Sequence, residues 1–283
     1  MKQKKNIVAV ITAPDKPAGR GLQMHASPVK KFALENGIPV LQPAKLKDPE
    51  FLIQLKNYQA DLQIVVAFRM LPEVVWNMPP HGTFNLHASL LPQYRGAAPI
   101  NHAIMNGETI TGVTTFFLQQ EIDTGKIILQ QKVEIKPNES AGELHDELMI
   151  KGAGLVLQTV EELEKGSFKT ADQNINQILK TAPKIFTENC RLNWEQKTET
   201  LHNQVRGLSP FPGAFTHYQN KVLKIYKSEI ENIKPTEAAG SFVTDQKTFL
   251  KVATSDGYLN LLEVQPESKR RMMIADYLRG NKF

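Results

Sequence analysis

Near Gln204 the chain changes texture, and that change limits what it can fold into. Beyond this point come short β-rich runs at 215–218, 222–226, 249–254 and 258–264, separated by turn residues, with Asp256-Gly257 suited to a tight hairpin. Such a run of short strands predicts a small β-barrel. Before it, strands are expected over 7–12, 62–67, 83–87 and 113–118. One helix is expected to start at Ser27-Pro28 and to stop at Asn36-Gly37. A second spans 140–165, opened by the capping box Ser140/Glu143 and closed by Gly166. The stretch after Gly166 is polar and weakly patterned, as a linker would be. At 283 residues, 41% of them apolar, the chain is long enough for two cores. The division expected is a domain over 1–166, a linker region over 167–203 and a second domain over 204–283.

The chemistry concentrates between Phe84 and Ile100, which read Phe-Asn-Leu-His-Ala-Ser-Leu-Leu-Pro-Gln-Tyr-Arg-Gly-Ala-Ala-Pro-Ile, and in Asp123-Thr124-Gly125. Side chains alternate along a strand, so Asn85 and His87 share one face and Leu86 takes the other. Asp123 follows the 113–118 strand, in a loop from which a carboxylate can reach a histidine at a neighbouring strand end. An amide, an imidazole and a carboxylate together suit acyl transfer to an amine. Asn85 and His87 would donate to the developing oxyanion, while Asp123 would hold the imidazolium and take up the proton lost by the amine. The attacking group belongs to the substrate, so no protein nucleophile is needed.

An Asn-x-His triplet alone is common. Its continuation is not: Asn85-x-His87-x-Ser89-Leu90-Leu91-Pro92, then Arg95-Gly96-Ala97-Ala98-Pro99, then Asp123-x-Gly125 resembles the formyltransferases that use 10-formyltetrahydrofolate. The resemblance implies an α/β, Rossmann-like doubly wound catalytic domain followed by a small OB-like β-barrel. It implies that Asn85, His87 and Asp123 are catalytic, and that Ser89, Leu90, Leu91 and Pro92 line the folate site. Ala67-Phe68-Arg69-Met70-Leu71 is similar to the family's pterin-binding segment, which adds Phe68, Arg69, Met70 and Leu71 to the folate contacts. For any one of these side chains, filling core is an equal expectation.

The segment Arg206-Gly-Leu-Ser-Pro210-Phe-Pro212-Gly-Ala214 resembles the entry to the C-terminal domain of the branch that formylates methionyl-tRNA. The loop Pro14-Asp15-Lys16-Pro17-Ala18-Gly19-Arg20-Gly21 is similar to the loop by which that branch enters the acceptor arm, which implies RNA contacts by Arg20 and Lys16. Its Gly-x-Gly spacing fits neither a Walker loop nor a dinucleotide fingerprint. Charge agrees: residues 204–283 hold 12 lysines and arginines against 8 acids, and residues 1–203 hold 22 against 21, so nearly all of the net +5 lies in the second domain. Such a surface attracts phosphates. Arg206 and the run Lys269, Arg270, Arg271 are the RNA-contact candidates there.

The partners implied are initiator methionyl-tRNA and the folate co-substrate, for a monomer in the cytoplasm. Seven histidines without ligand spacing and a single cysteine predict no metal and no internal disulfide. No secretory segment or run of 18 apolar residues is present, so no membrane association is expected. Family members open with a further strand-helix unit before the strand that matches 7–12. Its absence here predicts unpaired backbone and uncovered apolar faces beside the central strands. Two other readings stand beside the first: a folate-dependent formyltransferase or hydrolase with another substrate, such as a sugar-nucleotide amine, and an inactive truncated RNA-binding paralogue.

Overall fold

A computed structural model describes residues 5–18, 23–166 and 168–280. They cluster into two compact units, residues up to 86 with 116–121, and 87–115 with 122 onward.

In the first unit β1 (Val10–Ile11) leads to the antiparallel pair β2 (Lys16–Ala18) and β3 (Gln23–His25), then to α1 (Pro28–Glu35) and β4 (Val40–Leu41). β1 and β4 pair in parallel, Val10 opposite Val40. Among the described residues, the strand expected over 7–12 is paired where Val40–Leu41 lies beside it. α1 begins as anticipated: the Lys30 N–H donates to Ser27 Oγ at 3.2 Å, Pro28 occupies the first turn, and Gly37 follows the helix with φ +66°. Next come α2 (Pro49–Asn57), β5 (Gln63–Val66), α3 (Glu73–Trp76) and β6 (Thr83–His87), with β5 and β6 parallel. Leu46, Phe51, Leu55 and Val75 form the core. β5 ends its sheet, and Ile64 and Val66 on it are exposed, as are Phe32, Leu34 and Ile53 on α1 and α2. Ile64 and Val66 thus place large apolar side chains in solvent on a sheet edge.

The second unit adds β7 (Arg95–Gly96), α4 (Pro99–Met105), β8 (Ile110–Phe117), β9 (Ile127–Glu134) and α5 (Ala141–Lys165). The sheet order is β5-β6-β8-β9. α5 carries the full capping box, Ser140 Oγ accepting from the Glu143 N–H and the Glu143 carboxylate from the Ser140 N–H, and stops at Gly166 with φ +66°. β10 (Thr181–Ala182) returns to pair in parallel with β7.

A turn at Thr187–Cys190 and α6 (Thr198–Gly207) precede β11 (Ala214–Tyr218), β12 (Lys221–Glu231), β13 (Phe242–Thr244), β14 (Leu250–Ala253), β15 (Tyr258–Pro266), β16 (Met272–Met273) and α7 (Ile274–Gly280). The six strands form an antiparallel sheet ordered β11-β12-β15-β14-β13, with β16 on β15, curled into a half-barrel. The strands read from sequence are all present, and β12 bulges between Ile225 and Ser228. The expected boundary at 203/204 falls inside α6. Leu201, Val205 and Leu208 share one core with Cys190, Leu192, Leu223, Leu259 and Val264. Polar residues dominate this helix, but its apolar stripe belongs to the half-barrel.

α6 also meets α4. A Cβ on Gly207 would lie 2.6 Å from Met105 Cγ, and Asn101 Nδ2 donates to Gly207 O at 2.7 Å. At this junction His202 is buried with both ring nitrogens engaged, Nε2 with Asn138 Oδ1 and Nδ1 with Ser228 Oγ, each at 3.0 Å. An amide oxygen only accepts, so Nε2 carries the proton and Nδ1 accepts from the serine. Burial, with the Arg206 guanidinium nearby, pushes the imidazole down to about 4. The unfolded chain then binds a proton that the native one does not. Stability is therefore full above pH ~6.5 and declines as pH falls toward 4. Between pH 7 and pH 5 this histidine should cost about 1–2 kcal/mol, read as a drop in the urea midpoint that His202→Gln flattens. An equal slope in that variant would remove His202 as the cause.

Candidate active site

The chain passes between the two units at Leu86, and the side-chain geometry of the site that follows is that of the second unit. His87 ends β6 and is 6% exposed. Its Nε2 lies 2.8 Å from the carbonyl oxygen of Tyr94. A carbonyl cannot donate, so Nε2 holds the hydrogen and Nδ1 is the nitrogen that gains or loses a proton. Nδ1 faces Asp123 Oδ2 at 3.9 Å, too long for a hydrogen bond but close enough for an opposite charge to act. The same Oδ2 accepts the Gly96 N–H at 2.9 Å. Asp123 has φ +55°, a conformation unusual for a residue with a Cβ, in the loop after β8. The structure therefore brings His87 and Asp123 together from stretches 36 residues apart. Asn85 lies two residues before His87 on β6, opposite Val65 of β5, half-buried, with no hydrogen bond to its side chain among the described residues.

Tyr94 was not singled out by sequence reasoning. It is buried with φ +59°, and its hydroxyl donates to Glu108 Oε1 at 2.6 Å while its N–H donates to Lys180 O at 2.6 Å. Lys180 Nζ closes the set on Glu108 at 2.5 Å. Burial, and then the carboxylate beside it, raise the phenol well above its usual range, so Tyr94 stays a neutral donor. This network fixes the carbonyl that orients His87. Its only sequence signal is the place of Tyr94 between the two halves of the motif.

Ser89 is fully buried. Its hydroxyl donates to Gln93 O at 2.6 Å and its carbonyl accepts from Thr114 Oγ1 at 2.6 Å. Leu91 donates its N–H to Thr114 Oγ1, accepts from Gln130 Nε2 through its carbonyl, and precedes a cis proline, Pro92. Leu91 and Pro92 are buried, and Leu90 is partly exposed. Of the 67–71 segment, Phe68 and Leu71 pack on the first unit's core, and Met70 is 72% exposed. Arg69 lies over the Phe68 ring and donates to the carbonyls of Pro43 and Ala44. Phe68 and Leu71 thus serve packing, and Ala67 just before them has φ +47°.

Among the RNA-contact candidates, Lys16 is exposed at the start of β2, and Arg20 lies outside the described residues. Lys269 and Arg270 are exposed. Two others are not available as unpaired cations. Arg206 is half-buried, donating through Nε to Asn203 Oδ1 at 2.8 Å and through Nη1 to Glu139 O at 3.2 Å. Arg271 donates through Nη2 to Glu263 Oε2 at 2.8 Å and stacks over Tyr226. Internal partners that a charge count cannot see have claimed both. Among the described residues no cluster of histidine, cysteine or carboxylate groups fits a metal ion. No helix there is long and apolar enough to cross a membrane.

Residues 1–160 match the family model described as formyl transferase, and residues 184–282 match the one described as formyl transferase, C-terminal domain. The chain belongs to the formyltransferase family. The methionyl-tRNA formyltransferase of Bacteroides fragilis is 52% identical, over 97% of this chain and 87% of that protein. The methionyl-tRNA formyltransferase of Flavobacterium johnsoniae is 48% identical, over 100% and 91%. Solved structures share the formyltransferase fold. HypX from Aquifex aeolicus, in complex with tetrahydrofolic acid, aligns with a TM-score of 0.63 and 24% identity over 87% of this chain, which spans 43% of HypX. WlaRD, a sugar 3N-formyl transferase, gives 0.62 and 23% over 86% of this chain and 82% of WlaRD.

Proposed function

We propose that this chain transfers the formyl group of 10-formyltetrahydrofolate to the amino group of initiator methionyl-tRNA, giving N-formylmethionyl-tRNA for translation initiation. The observation that carries this reading is identity near 50% across nearly the whole chain, half-barrel included, to methionyl-tRNA formyltransferases. It favours the methionyl-tRNA substrate over a sugar-nucleotide amine. The retained His87–Asp123 pair speaks against an inactive paralogue.

In the proposed reaction the methionyl amine attacks the formyl carbon. Asn85 and the Nδ1–H of protonated His87 donate to the oxyanion, and collapse breaks the bond from the formyl carbon to N10, which takes up a proton as tetrahydrofolate leaves, balancing the one lost by the methionyl amine. Asp123 stabilises the imidazolium and takes up the proton released by the amine, directly or through water. An α-amino group with pKa near 8 is already partly neutral at pH 7, so modest base help suffices. The folate site is assigned to the 89–92 and 67–71 segments, the latter through its backbone and Met70. RNA contacts are assigned to Arg20, Lys16, Lys269 and Arg270, with Arg206 and Arg271 shaping the surface beneath. The domain division proposed is 1–166, 167–203 and 204–283, with its second boundary moved ahead of α6, whose Leu201 lies in the half-barrel core, and the chain is proposed as a cytoplasmic monomer.

The test is a competition. The purified chain, with 10-formyltetrahydrofolate, is offered methionyl initiator transfer RNA or an amino-sugar nucleotide, and the formylated product is identified. Formyl-methionyl-tRNA is expected. Formylation of the sugar alone would replace the substrate, and RNA binding without turnover would leave only the paralogue.

A further inference from the structure

Residues 168–180 form no helix and their side chains are nearly all exposed, but Gln173 is drawn in. Its Oε1 accepts from Arg95 through Nε at 3.0 Å and Nη2 at 2.5 Å. Its Nε2 donates to the carbonyls of Asp123 and Gly125, each at 2.9 Å. Both ends of one amide are doubly engaged, with partners 48 to 78 residues away in sequence. A glutamine in a polar surface stretch has no reason to order itself this way, because fixing its rotamers costs side-chain entropy.

The partners indicate what the contact does. Asp123 holds a positive φ in a loop with no regular structure, a conformation that needs support from its surroundings. Gln173 holds that loop by the carbonyls of residues 123 and 125. Through Arg95 it also holds the residue before Gly96, whose N–H donates to Asp123 Oδ2. Both ends of the hydrogen bond that sets Oδ2 across from His87 Nδ1 are therefore tied to the same side chain. We infer that Gln173 is a positioning residue for Asp123, fixing the carboxylate opposite the imidazole. The inference rests on the proposal that His87 and Asp123 act in catalysis.

Two substitutions separate this role from mere support of Arg95. Gln173→Glu keeps an acceptor for the guanidinium and makes the contact ionic, but turns an oxygen toward the two loop carbonyls. Gln173→Met keeps length and loses both functions. A misplaced reacting group costs rate more than binding. Both variants should lower kcat at least about tenfold, with KM for folate and for RNA within about twofold. The melting temperature of Gln173→Glu should stay near that of the parent protein. Parental kcat in Gln173→Glu, whatever Gln173→Met does, overturns the inference. Asp123→Asn measured alongside keeps the two failures distinct. If Asp123→Asn is impaired and Gln173→Glu is not, only the positioning role fails. If Asp123→Asn has full activity, the catalytic assignment itself has failed.

Discussion

Replacing His87 with alanine is expected to lower turnover at least about a hundredfold, the size seen when one oxyanion donor is removed, in a protein that still folds. The geometry explains both halves of this expectation. Nε2 is committed to the Tyr94 carbonyl, so in the proposed mechanism the ring donates through Nδ1, the nitrogen that faces Asp123. The structural loss includes the hydrogen bond to the Tyr94 carbonyl and a small void at a strand end, about 1–3 kcal/mol, within the margin of most proteins of this size. Asn85→Ala should cost a similar factor in rate and less in stability, because its amide bonds to no other described residue. kcat at saturating folate and RNA is the quantity to measure, with circular dichroism to confirm the fold. A His87→Ala enzyme within threefold of the parent would remove the imidazole from the mechanism.

Sequence made the proposed reacting groups legible as a set because their placement is local. Alternation along β6 puts Asn85 and His87 on one face, and Asp123 lies just past β8, so short-range rules placed all three before any coordinates. α5 was equally plain, since its start and stop are written in Ser140, Glu143 and Gly166. What stayed hidden depends on partners far along the chain. Polar residues 168–184 read as a linker, yet Gln173, Lys180 and Ala182 bond to 93–98 and 123–125 and hold the loops that carry the proposed site. Polarity reports solubility, not freedom. α6 was missed because its few apolar residues complete a half-barrel core that forms only when the later strands assemble. Arg206 and Arg271 counted as RNA-contact candidates in the sequence, and hydrogen bonds to Asn203 and Glu263 occupy their guanidinium donors instead. Phe68 and Leu71 had two equal readings, and both are partly buried against the core of the first unit.

The second large effect is expected at Gly96, where fold and site meet in one backbone. This residue has φ +123°, a region that side-chain-bearing residues scarcely enter. A Cβ there would sit 2.4 Å from Ala182 O and 3.0 Å from Ala182 C. Both obstacles are main chain, held by the β7–β10 register and by the Ala97 N–H on Ala182 O at 2.7 Å, so no side chain can swing aside. Gly96→Ala must therefore break the pairing, move Ala182, or twist its own backbone and withdraw the N–H from Asp123 Oδ2. Strain of this kind together with a lost ladder costs about 3 kcal/mol, and any escape displaces the carboxylate. We expect a clear fall in the urea midpoint and at least about a tenfold loss of kcat in the folded fraction. Gly37→Ala is the matched control. It also has a positive φ, +66°, but its Cβ would meet nothing within 4 Å, so about 1 kcal/mol and unchanged kcat are expected. If the two variants proved equally stable and equally active, the close approach at Ala182 would not be holding Asp123 in place.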